Sequence, residues 1–300
     1  MKMKGKEPVF KGAATAIITP FRNGEVDYDA LGDIIDTQIA SGIDALVVCG
    51  TTGEASTLTD EEHREVIKYT VEKTAKRVPV IAGTGSNDYA YAVDLSLHAC
   101  EVGADALLQV TPYYNKASQR GLVQYFSKIA DNVTAPVILY NVPSRTGCAI
   151  GIDAYKELAQ HPNIVATKEA CGDLSFIVKL CRAVGDVIDI YSGNDDQIVP
   201  MMSLGAKGVI SVLSNVAPAK THEMAAACLN GDFSLGARLQ LEYLDLINAL
   251  FMTVNPIPVK EAMALLGKCT VELRLPLCNM TAAENEKLAS VLASYEGRLL

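Results

Sequence analysis

The 300-residue sequence has no C-x-x-C pair among its eight cysteines, no H-x-x-x-H or H-E-x-x-H spacing among its four histidines, and no run of basic residues. Each absence removes a class of function. Without paired cysteines or closely spaced histidines, neither a disulfide framework nor a dedicated metal site is expected. The thiols, Cys49, Cys100, Cys148, Cys171, Cys181, Cys228, Cys269 and Cys278, fall mostly in apolar segments and read as reduced packing residues, although Cys49 and Cys171 flank loops near the candidate site. A net charge of −9 with scattered lysines and arginines lacks the electrostatic footprint of a nucleic-acid binder. A single arginine or helix N-terminus can still hold a small anion. The basic opening, Met1 to Lys6, is followed by no signal-length apolar segment, and no window reaches the length of a membrane span. A cytoplasmic protein without membrane association is expected.

What is present is a repeat of short apolar runs and longer stretches of helical periodicity. The runs Ala13 to Thr19, Ala45 to Cys49, Val80 to Ala82, Ala106 to Val110, Val137 to Tyr140, Ile164 to Lys168, Ile188 to Ser192 and Gly208 to Ser211 read as strands. Helical segments follow each of them. One begins at Asp27, one at the capping-box sequence Thr59-Asp60-Glu61-Glu62, and the eighth covers Pro218 to Leu229. Strands without polar alternation must be buried on both faces, which points to a parallel sheet covered by helices. Eight βα units are the closing number of a (β/α)8 TIM barrel, an α/β fold. An open doubly wound sheet is the alternative, but Gly83-Thr84-Gly85 continues as Ser-Asn-Asp and not as a phosphate loop. The catalytic barrel is expected over residues 1–231. Residues 232–300 read as a C-terminal helical extension of three helices, with breaks near Asn255-Pro256-Ile257-Pro258 and Leu275-Pro276. No low-complexity tract or long linker separates the two parts.

Barrel chemistry collects at the C-terminal ends of the strands, so the residues there carry the functional reading. Lys168 ends the apolar run Ile164-Val165-Ala166-Thr167. A buried lysine favours the neutral amine, which can attack a carbonyl carbon and form a Schiff base. Taken alone, the stretch better fits a lysine snorkelling to solvent beside Glu169. The neighbouring strand ends change that balance. Thr51 and Thr52, between Gly50 and Gly53, supply hydroxyls and free amides suited to a carboxylate. Tyr140 ends the adjacent strand within reach of an adduct on Lys168, where a phenol can move protons. Arg145 is the only arginine on these loops and can grip a second carboxylate in a bidentate fashion.

Five segments then resemble the dihydrodipicolinate synthase (4-hydroxy-tetrahydrodipicolinate synthase) family, within the class I aldolase group that includes N-acetylneuraminate lyase. They are Gly50-Thr51-Thr52-Gly53-Glu54, Thr111-Pro112-Tyr113-Tyr114-Asn115, Tyr140-Asn141-Val142-Pro143-Ser144-Arg145-Thr146-Gly147, Lys168-Glu169-Ala170 and Asn255-Pro256-Ile257-Pro258-Val259-Lys260. The resemblance runs from about Gly12 to the C-terminus. It implies condensation of pyruvate with L-aspartate-4-semialdehyde on the route to lysine and diaminopimelate, without metal or organic cofactor. By that likeness Lys168 forms the Schiff base, Tyr140 shuttles protons, and Thr51 links it to Tyr114 of a neighbouring subunit. Thr51 and Thr52 would bind the pyruvate carboxylate, Arg145 that of the semialdehyde, and the backbone of Gly193 and Ile210 would line the pocket. The family is usually a homotetramer, a dimer of dimers. Its effector pocket for lysine would use Ser56, His63, Asn87 and Tyr113, but Ala55 and Tyr91 stand where lysine-inhibited members carry a serine and a glutamate. Weak or absent lysine feedback is therefore expected. A sugar-acid lyase on the same scaffold and a non-catalytic ketoacid sensor are the other readings.

Overall fold

The computed structural model describes residues 6–300; residues 1–5 of the basic opening lie outside them. Eight parallel strands, Gly12–Ala16, Ala45–Val48, Val80–Gly83, Ala106–Val110, Val137–Asn141, Ile164–Glu169, Asp189–Ser192 and Gly208–Ser211, pair in chain order. The first also pairs with the eighth, Gly12 to Gly208 and Thr15 to Ser211, which closes the barrel and excludes the open sheet. Helices start where short side chains take up free N–H groups: Asp27 accepts from Ala30 N, Ser118 from Gly121 N, and Thr59 and Glu62 form a reciprocal capping box.

Alternation along each strand builds two separate cores. Inside the barrel lie small or slender residues, Ala14, Ala45, Ala106 and Ala166 among them, with Ile138, Tyr140, Tyr191 and Ile210 filling the remaining space. Phe10 stacks on Tyr191 with centroids 4.3 Å apart, and its carbonyl accepts from the Tyr191 hydroxyl at 2.8 Å. The larger core lies between the barrel's outer face and the helices, and Leu239, Tyr243, Leu246 and Val259 of the extension belong to it.

Four elements depart from the sequence expectation. The first strand ends at Ala16 instead of Thr19 because Asn215 takes over its backbone: Ile18 N donates to the carboxamide oxygen at 3.1 Å, and the carboxamide nitrogen donates to Ala16 O. A small hairpin, Phe21–Arg22 with Glu25–Val26, and a one-turn helix, Pro143–Thr146, were not legible as periodic segments because each is too short to show a period. The extension holds four helices and not three, Phe233–Glu242, Leu244–Leu250, Ile257–Leu265 and Ala282–Ala293. The added break, at Tyr243, places that fully buried ring 5.1 Å from the ring of Tyr295.

The extension is pinned to the loop after the second strand. Lys260, wholly buried, donates to Glu54 at 2.5 Å, and its ammonium sits 3.9 Å from the centroid of the Phe21 ring. Glu54 holds a left-handed backbone conformation, φ 52°, and its second carboxylate oxygen accepts from Arg274 N. Arg274 adds a two-pronged pair to Glu62 at 2.5 and 2.6 Å. Burial draws the Lys260 ammonium below its usual range, and the charge of Glu54 opposes that. Removing one member strands the other. Lys260→Met should lower unfolding free energy by about 3–5 kcal/mol, read from the urea midpoint. Combining it with Glu54→Gln should restore most of the loss, and a double variant as unstable as the single would show that the pair is not the anchor.

Candidate active site

The site is organised by the register of three strands. Tyr140 of the fifth strand stands opposite Lys168 of the sixth, and Lys168 in turn stands opposite Tyr191 of the seventh. Ala166 and Ala170, two residues before and after Lys168, belong to the inner core, so the lysine points into the barrel. Its side chain is almost entirely covered, and the ammonium lies 4.4 Å from the centroid of the Tyr140 ring. Gly193 packs against its stem: a Cβ there would lie 3.1 Å from Lys168 Cε and 2.7 Å from Ala170 Cβ. Ile210 is buried in the same inner core. Asp195 is fully buried as well. It accepts from Val212 N and Leu213 N at 3.0 and 2.8 Å; burial pushes its carboxyl up, and the nearby charge of Lys168 pulls the other way.

Glu169 is not the solvent partner that a snorkelling lysine would have. It points to the outer face and is fully buried. Its carboxylate accepts from the Asn141 carboxamide at 3.0 Å on both oxygens, from Cys171 N at 2.9 Å and from the Tyr155 hydroxyl at 3.1 Å. Burial raises its pKa, and these donors oppose the rise. Asn141 and Glu169 are themselves cross-strand partners, so this cluster on the outside clamps the strand ends whose inner residues are Tyr140 and Lys168. The cysteines near the site are ordinary packing groups. Cys49 is buried, with its thiol pushed up by desolvation, and that of Cys171 is pushed up to about 12.

A cavity of about 410 Å³ opens at this rim, with Thr51, Tyr140 and Arg145 on its wall. The expected effector residues Ser56, His63 and Tyr113 line the same cavity, together with the departures Ala55 and Tyr91. Lys168, Thr52, Gly193, Ile210, Asn87 and Tyr114 do not line it. Asn87 braces the region by donating to Tyr113 O at 3.2 Å. Desolvation lowers the pKa of His63, and its Nε2 donates to Gly83 O at 2.8 Å. Tyr114 points away from the chain, 91% exposed with a left-handed φ of 70°.

One contributor was not anticipated in its role. Asn255, from the extension, donates its carboxamide to Thr52 Oγ1 at 3.1 Å, while its backbone carbonyl accepts from the Arg145 guanidinium at 3.2 Å. The sequence marks Asn255-Pro256 as a helix break, and nothing local signals that the break folds back onto residues more than a hundred positions away.

The outer clamp carries a prediction. Glu169→Gln replaces an acceptor for three donor groups with a side chain whose amide faces another amide. On the expectation that Lys168 forms the Schiff base, the result is a fall in the rate of borohydride-trapped pyruvate adduct formation of roughly ten- to a hundredfold, the effect of displacing that amine. Glu169→Gln with wild-type trapping kinetics would show that the cluster serves stability alone.

The chain matches the model of the dihydrodipicolinate synthetase family over residues 9–295. It is 53% identical over 289 residues to the 4-hydroxy-tetrahydrodipicolinate synthase of Thermoanaerobacter sp. (strain X514), covering 96% of this chain and 97% of that one. The enzyme of the same name from Acetivibrio thermocellus is 53% identical over 291 residues, 97% of this chain and 99% of its own. The crystal structure of dihydrodipicolinate synthase from Aquifex aeolicus superposes with a TM-score of 0.95 at 47% identity, covering 97% and 99% of the two chains. A closed eight-stranded barrel, a lysine set against a tyrosine at its rim and this likeness along nearly the whole chain agree: the chain belongs to the dihydrodipicolinate synthetase family.

Proposed function

We propose that the chain acts as a 4-hydroxy-tetrahydrodipicolinate synthase of class I aldolase type, condensing pyruvate with L-aspartate-4-semialdehyde in lysine and diaminopimelate biosynthesis. The observation that carries the site assignment is the amine of Lys168, buried in the barrel 4.4 Å from the Tyr140 ring. In this reading the Lys168 amine adds to the keto carbon of pyruvate, water leaves, and an imine forms. The imine acidifies the methyl group; loss of a proton gives an enamine, which attacks the aldehyde carbon. Tyr140 relays protons to and from the keto oxygen. Thr51 and Thr52 receive the pyruvate carboxylate, and Arg145 that of the semialdehyde. Gly193, by lacking a side chain, leaves room for the lysine's swing, and the Gly193 and Ile210 backbones complete the pocket floor.

The extension from residue 232 onward works as part of the site and not as a separate unit, a reading supported by Asn255 and Lys260. Assembly is read from Tyr114. A ring 91% exposed on a strained backbone suits a residue that reaches into a second copy, as in a dimer of dimers. No described helix is long and apolar enough to cross a membrane, and cytoplasmic action is part of the same reading.

Borohydride reduction in the presence of pyruvate should add the mass of the reduced adduct to the peptide holding Lys168. Lys168→Ala should lose both that mass and the consumption of semialdehyde; labelling of another lysine would sink the assignment. Arg145→Ala should raise the KM for the semialdehyde roughly ten- to a hundredfold, the worth of a charge-assisted hydrogen bond, while sparing pyruvate trapping. In the effector region Ala55 lacks a hydroxyl and Tyr91 a carboxylate to meet lysine's amino group. Lysine inhibition should accordingly be weak, and half-maximal inhibition at micromolar lysine would contradict this.

A further inference from the structure

We infer that Asn255 is a positioning residue that sets the donor direction of the Thr52 hydroxyl, so that the extension decides how firmly pyruvate is held. This rests on the assignment of Thr52 to the pyruvate carboxylate. The Asn255 nitrogen donates to Thr52 Oγ1, and among the described residues Thr52 Oγ1 has no other protein partner. A hydroxyl that already accepts a hydrogen bond keeps its own hydrogen free to donate, and accepting one strengthens the bond it gives. Carboxylates accept only, so this polarity suits the anion of a ketoacid. Both residues are at least nine-tenths buried, which makes an unpaired alternative costly and the direction well defined.

The same residue reaches the second carboxylate holder, since its backbone carbonyl accepts from Arg145. Among the described residues its carboxamide oxygen has no hydrogen-bond partner, and it is sealed from solvent. Were the carboxamide turned over, that oxygen would take the hydrogen of Thr52 and leave both amide N–H donors buried and unpaired. Asn255 thereby ties the residues proposed for the two substrates to a single point on the extension.

The test is the pair Asn255→Asp and Thr52→Val, separately and together, with KM and kcat for pyruvate measured at saturating semialdehyde. An aspartate can only accept, so it would turn the Thr52 hydrogen inward and away from the substrate. Asn255→Asp is expected to raise the KM for pyruvate at least tenfold with kcat changed less than threefold, and Asn255→Ala to raise it roughly three- to tenfold. In the Thr52→Val background the aspartate's charge remains but there is no hydroxyl to turn, so the added penalty should shrink to roughly threefold or less. Equal penalties in both backgrounds, or Asn255→Asp with wild-type KM, would overturn the inference. Should Asn255→Asp fail to fold, Asn255→Ala in the two backgrounds gives the same reading: its roughly three- to tenfold rise in the KM for pyruvate should appear beside threonine and vanish beside valine, and an equal rise in both would overturn the inference. Borohydride trapping of the unmutated protein stands as the separate control. Failure to label Lys168 there removes the underlying assignment, whereas labelling with uncoupled penalties removes only the role of Asn255.

Discussion

The parallel pairing of Tyr140 with Lys168 and of Asn141 with Glu169 is the constraint on which the rest of the site depends. Side chains alternate between the faces of a strand, so a slip of one residue would send the lysine outward among the helices and bring Glu169 into the barrel. The two faces guard against that slip in different ways. Inside, the small side chains Ala166 and Ala170 flank the lysine in the inner core. Outside, a carboxylate with three donor groups holds the register through bonds that would all be lost together.

Polar groups buried beside a reactive centre are costly unless each has a partner, and here the partners come from far along the chain. Glu54 is neutralised by Lys260, and Thr52 and Arg145 meet Asn255. The eighth strand contributes through its following loop, where Val212 and Leu213 donate to Asp195. The extension is thus less an appendage than a second wall for the loop that holds the two threonines. The ion pair of Lys260 with Glu54 also lets that loop keep a left-handed residue, which a free loop would abandon.

The cavity joins what the family likeness divides into two sites. Thr51 and Tyr140 share it with His63 and Tyr113, so a group bound among the outer residues lies against the wall of the inner ones. The amide-to-carbonyl contacts of Asn87 with Tyr113, and of Asn115 with Asn87, bind the loop that carries Tyr114 to the same region. Exposure of the Tyr114 ring is then a consequence of a well-held loop and not of a loose one.

The sequence by itself determined the eight strands and the barrel class. Strands buried on both faces leave an unbroken apolar signature, and polar residues stand out where those runs stop. Lys168, Tyr140, Thr51 and Arg145, the residues proposed for the site, stood out for that reason, and the structure sets Lys168 beside Tyr140 and lines one cavity with Thr51, Tyr140 and Arg145. Short elements such as Pro143–Thr146 did not stand out, because one turn has no period, and the break at Tyr243 is set by burial against Tyr295. Only the tertiary structure decided that Glu169 serves the outer face, that Asn255 returns to Thr52 and Arg145, and that Lys260 is the counter-charge of Glu54. The contacts of Asn255 and Lys260 span 110 to 206 residues and those of Glu169 with Tyr155 and Asn141 span 14 and 28, and a pairwise hydrogen bond or ion pair at such separation leaves no local pattern in the chain.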